Sequence, residues 1–195
     1  MSFLISLQNS IANMNPVFAQ VTNAVSDTAV QVENSAAGAT ASPAQKALIY
    51  AAAFTAIGFA AIGSAYGCGV SASSAMGVWK KCYLQNKPAP FQLLIFTGAP
   101  LSQTIYGMIL MFIIMGAAES PMVGSWISYM VIGSISGIAM GISAAWQGIA
   151  AAGACDTFGE TGKGFANQLM ALGIVETIAI FCLAFAIVLL SIIGA

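Results

Sequence analysis

The chain has 195 residues, of which 59% are apolar and only 6% charged, with a net charge of −1. A water-soluble domain carries roughly 25% charged residues, so a fully water-facing exterior is excluded. There is no His, and the five cations are all lysines (Lys46, Lys80, Lys81, Lys87 and Lys163); histidine metal sites, His-based triads, arginine phosphate clamps and a basic nucleic-acid surface are excluded with them.

Residues 1–46 are rich in Ser, Asn, Gln and Ala, with an apolar start at Phe3-Leu4-Ile5 and a Val17-Phe18-Ala19 segment of the kind that precedes a signal cleavage site. No positive residue precedes the apolar part, so a retained polar extracytoplasmic tail is expected. Four apolar stretches follow, at roughly 47–79, 91–118, 122–154 and 166–194. Each exceeds the ~20 residues that span a bilayer as a helix, and none alternates with the period of a barrel strand. Lys80, Lys81 and Lys87 fall between the first two spans, Glu119 between the second and third, and Asp156, Glu160 and Lys163 between the last two. The positive-inside rule places the first and third loops in the cytoplasm and both termini outside. The expected fold is an all-α membrane protein of two helical hairpins, 47–118 and 119–195.

The hairpins read as a duplication. Ala65-Tyr66-Gly67 matches Ala139-Met140-Gly141 at an offset of 74, and Gln103-Thr104-Ile105 matches Glu176-Thr177-Ile178 at an offset of 73. Small residues recur every fourth position in the first span (Gly63, Gly67, Ser71, Ala75) and in the third (Gly133, Gly137, Gly141, Ala145). Lipid gives helices no hydrophobic reason to associate, so such stripes of close backbone approach drive packing. The second and fourth spans carry bulkier Ile109, Phe112, Phe181 and Leu189. Thin helices on one side and bulky ones on the other make a wedge, and wedges set side by side close into a ring. Cys68, Cys82, Cys155 and Cys182 lack zinc-type spacing and read as small packing residues.

Glu176 is the one ionisable residue deep in a span, about ten residues into the fourth. An ionised acid there costs roughly 2.5–3.5 kcal/mol, so it requires a proton, a cation or a partner, and it reads as an ion carrier. In the second span Ala99, Ser102, Gln103 and Tyr106 share one helical face. Pro100 disturbs the turn beside them, which is expected to free the Ala99 carbonyl. Gln147 in the third span is another polar group at depth, and Thr177 follows the carboxylate directly. The carboxylate, two amide oxygens, the Ser102 hydroxyl and the Ala99 carbonyl form a shell suited to a hard cation. A proton needs fewer partners, so the set leans toward transported Na+, with H+ as the alternative; no resident cofactor and no catalytic residue are expected.

With Pro100-Leu101-Ser102-Gln103-Thr104-Ile105-Tyr106-Gly107, Val175-Glu176-Thr177 and two glycine-rich hairpins, residues 47–195 resemble the K-type proteolipid of V/A-type ATPases. That resemblance implies a non-catalytic rotor subunit, in a ring of about ten copies, turning against a membrane stator subunit that bears a cationic residue and bound to central-stalk subunits. It implies ion contacts at Glu176, Gln103, Gln147, Ser102 and the Ala99 carbonyl, with Tyr106 hydrogen-bonding the glutamate; Ser102 stands where the family carries threonine. A small secondary transporter or channel, or a purely structural four-helix protein, is the competing class. Broken helices or a polar pore lining would mark the transporter.

Overall fold

A computed structural model describes residues 42–118 and 126–193. The elements in order are α1 (Pro43–Leu84), α2 (Leu93–Gly98), a 3-10 turn (Ala99–Leu101), α3 (Ser102–Ala118), α4 (Trp126–Thr161) and α5 (Phe165–Ile193). Taking α2, the turn and α3 as one interrupted span, four helices are long and apolar enough to cross a membrane. This is a multi-pass membrane protein. Nearly all of the expected tail, together with Glu119 and its loop, lies outside the described residues. The tail boundary expected at residue 46 falls inside α1, which begins at Pro43. Ser42 explains the earlier start: its hydroxyl accepts the Gln45 N–H while the Gln45 side chain accepts the Ser42 N–H, a capping box with Pro43 at the first helical position.

α1 has 42 residues and α4 has 36, so at 1.5 Å per residue they run about 63 and 54 Å, well beyond a hydrocarbon core about 30 Å thick. Their overhanging ends carry the charges: Lys81 Nζ lies 3.7 Å from Glu160 Oε1, both highly exposed, and Ser74 Oγ donates to Asp156 Oδ1 at 2.9 Å. At the same end the Trp79 indole donates to the Pro90 carbonyl at 2.9 Å, tying the first loop to α1. Gly162 and Gly164, with φ of 65° and 81°, make the tight turn from α4 into α5. Phe96, Phe158 and Phe165 pack their rings together beside that turn, with centroids 5.2–6.3 Å apart.

α1 and α4 run parallel in close contact, and glycine permits it. A Cβ added at Gly133, Gly137, Gly141 or Gly148 would run into the backbone of α1, and one at Gly63 or Gly67 into that of α4. On α1 the expected stripe is buried in full; on α4 it runs Gly133, Gly137, Gly141 and then Ala144 and Gly148, leaving Ala145 partly exposed. A helix of 3.6 residues per turn drifts off a strict four-residue spacing, which moves the contact from Ala145 to Ala144. α3 lies against α1 through Gly107, and α5 against α4. Ile109, Phe112, Phe181 and Leu189 point outward, as expected of the bulky spans. All four cysteines are free thiols, two of them buried in the core.

The contacts also place the two halves relative to each other. Ala52 meets Gly133, Gly67 meets Gly148 and Val78 meets Gly159, each pair 81 positions apart. The offset of 74 expected for the inner helices therefore does not describe which residues share a level, and the position on α1 level with Gln147 is Tyr66.

Candidate functional site

Pro100 has no N–H, so the Phe96 carbonyl four residues back loses its α-helical donor. The chain answers by tightening: the Ala99 N–H turns to the Phe96 carbonyl, and the Ser102 N–H to the Ala99 carbonyl, as i→i+3 bonds. The expectation of a freed Ala99 carbonyl is thereby corrected. The carbonyl that proline strips is that of Phe96, whereas Ala99 accepts both the Ser102 N–H and, at 3.0 Å, the Ser102 hydroxyl.

The turn presents Ser102, Gln103 and Tyr106 toward α4 and α5. Gln103 and Gln147 are both fully buried, and a buried amide without partners is costly. They satisfy each other: Gln103 Nε2 donates to Gln147 Oε1 at 2.7 Å. Ser102 Oγ lies 3.2 Å from Gln103 Oε1. At the other end Gln147 Nε2 donates to the Leu172 carbonyl at 3.1 Å and reaches Glu176 Oε2 at 3.4 Å. The Tyr106 hydroxyl donates to Glu176 Oε1 at 2.6 Å, the short separation of a charge-assisted bond. Ala99, Ser102, Gln103, Gln147, Glu176 and Tyr106 thus form one connected chain of polar groups across three helices.

Glu176 itself is half-buried, on the outer surface of α5. Lys163 in the preceding turn is about 20 Å away along the helix axis. Thr177 is not brought into the chain: its side chain is exposed and its hydroxyl donates to the Ile174 carbonyl at 2.6 Å. Ser143, which sequence reasoning missed, does join. It donates to the Val175 carbonyl at 3.0 Å, one turn of α4 from Gln147, and so holds α5 where Glu176 leaves it. Its i, i+4 spacing to Gln147 was the available signal.

Comparison with known proteins bears on this site. Residues 130–189, which carry Ser143, Gln147 and Glu176, match the family of the C subunit of ATP synthase. Over 136 residues, 69% of this chain, the sequence is 31% identical to the A-type ATP synthase subunit K of Methanocaldococcus jannaschii. The chain belongs to this ATP synthase rotor-proteolipid family. It spans 58% of the length of that archaeal relative. Within the family match Glu176 is the one acid in the middle of a span, because Asp156 and Glu160 lie at the exposed end of α4.

Proposed function

We propose that this chain is a non-catalytic rotor-ring subunit of a V/A-type rotary ATPase, carrying Na+ on Glu176, with H+ as the close variant. The observation that carries the reading is the short Tyr106–Glu176 bond at the end of a chain of buried amides, on a helix otherwise made for lipid. One carboxylate and several neutral oxygens match the charge and hardness of a monovalent alkali cation. Family membership and the A-type subunit K relative support the rotor role. The partners are further copies of this chain in a ring, a membrane stator subunit with a cationic side chain, central-stalk subunits and lipid. Positive-inside reasoning puts the Lys80–Lys87 and Asp156–Lys163 ends in the cytoplasm.

The cycle follows from charge. With an ion bound, Glu176 is neutral overall and can face lipid. Once emptied, it carries a charge that costs roughly 2.5–3.5 kcal/mol in hydrocarbon, and it stays beside the stator cation until reloaded. Gln103 stands at the position that corresponds to Glu176 in the first hairpin, so two hairpins share one carboxylate. Fewer ions per turn give more torque per ion, which suits an ATP-driven pump.

Carbodiimide labelling of Glu176 in the purified ring tests the cation. Protection by millimolar Na+ at fixed pH is expected; labelling that Na+ leaves unchanged assigns the site to protons. Tyr106→Phe removes a donor to a charged acceptor, an interaction worth about 1.5–3 kcal/mol, and is expected to raise the half-protecting Na+ concentration about tenfold or more. An unchanged concentration would remove Tyr106 from the site.

A further inference from the structure

On α1, Ser64 is 3% exposed and its hydroxyl has no hydrogen-bond partner. This is unusual for a helical serine, which ordinarily turns its hydroxyl onto the preceding carbonyl. Ser71 and Ser73 on the same helix do so, onto Gly67 and Gly69. A buried polar atom without a partner asks for an explanation.

The register of α1 against the second span shows what faces it. A Cβ on Gly67 would lie 3.0 Å from Pro100 Cβ, and one on Gly107 would lie 2.9 Å from Ala60 Cβ. The helices are antiparallel, so the pairs Gly67–Pro100 and Ala60–Gly107 bracket one level at which Ser64 stands opposite Gln103. Both are buried there. A primary amide carries two N–H groups; the bond from Gln103 Nε2 to Gln147 uses one of them, which leaves a donor to spare.

We propose that Ser64 is a positioning residue for the ion site, the acceptor that receives the Gln103 amide when its oxygen turns toward a bound cation. The inference rests on the cation reading of Glu176. In the present arrangement Gln103 Oε1 takes the Ser102 hydroxyl and Nε2 faces Gln147. Presenting Oε1 to a cation beside Glu176 requires half a revolution of the amide. The turn carries the NH2 to the Ser102 side, where Ser102 Oγ accepts one N–H and Ser64 Oγ accepts the other. The Ser64 proton then goes to the carbonyl one turn back on α1. Every polar group is paired in the loaded state, while Ser64 is left over in the other. Removing its hydroxyl therefore weakens the loaded state and spares the ion-free one.

Ser64→Ala in the purified ring tests this, with two readings. The Na+ concentration that half-protects Glu176 from carbodiimide is expected to rise about two- to tenfold, the effect of one net hydrogen bond. Ion-free thermal dissociation of the ring is expected to stay unchanged or move upward, because an orphaned polar atom has been removed. An unchanged half-protecting concentration overturns the proposal. So does a fall in ion-free stability that matches the loss of affinity, since that is the mark of a packing role. If Na+ fails to protect the unsubstituted ring, the cation reading falls and takes this inference with it; protection that is equal in the two rings defeats the Ser64 role alone.

Discussion

Replacing Glu176 by Gln is expected to reduce ATP-driven ion transport to the level of vesicles lacking the complex, while the ring still assembles. The substitution keeps size and shape, and its carbonyl oxygen still accepts the Tyr106 hydroxyl that Glu176 Oε1 accepts at 2.6 Å. What it removes is the ability to carry a charge. An uncharged side chain neither captures a cation nor needs one, so the expense of an empty site in lipid, roughly 2.5–3.5 kcal/mol, disappears along with the reason to wait at the stator. Carbodiimide labelling should vanish in parallel. Glu160→Gln is the control: that acid sits at the exposed end of α4 beside Lys81, where an ion pair contributes little, and transport should be unaffected. Transport that survives Glu176→Gln would mean the fourth span carries its acid for some other purpose.

How much of this was legible in the sequence depends on the kind of information each residue carries. Four spans follow from composition alone, and Glu176 stands out because an acid in hydrocarbon is rare. Gln103, Gln147 and Tyr106 were found because polar groups at the same depth seek one another. Depth says nothing about direction around a helix. Thr177 looked adjacent to the site, yet neighbours in sequence are rotated away from each other on a helix, and its side chain faces outward. Ser143 and Ser64 were hidden for the complementary reason: among so many Gly, Ala and Ser residues, nothing marks which serine meets a neighbouring helix. The same monotony explains the misplaced repeat. Short Ala- and Gly-rich runs match at several offsets, whereas the contacts Ala52–Gly133, Gly67–Gly148 and Val78–Gly159 allow one level. An offset of 74 in place of 81 shifts the inner helices by about 10 Å and takes Gln147 out of reach of Gln103.

That register is held by glycine, and single methyl groups test it. Gly63→Ala and Gly148→Ala are each expected to prevent ring assembly, read as loss of the ring on native gels and of protectable labelling at Glu176. A Cβ at Gly63 would fall on the backbone of Gly141, and one at Gly148 on the backbone of Gly67. Backbone in a helix cannot rotate aside as a side chain can, so α1 and α4 must move apart. The cost should lie at or above the ~1–3 kcal/mol typical of overpacking. The separation also reaches the site, because Gln147 precedes Gly148 and its amide bridges to both Gln103 and Leu172. Gly77→Ala and Gly153→Ala provide the contrast. Nothing lies within 4 Å of a Cβ at either position, and alanine is favoured over glycine inside a helix by about 0.5–1 kcal/mol. These two rings should assemble and dissociate at the same temperature or higher. Normal assembly of Gly63→Ala would show that the helices are held by something other than backbone contact. The buried chain from Ser102 to Glu176 would then owe its alignment to its own hydrogen bonds rather than to the glycine seam beside it.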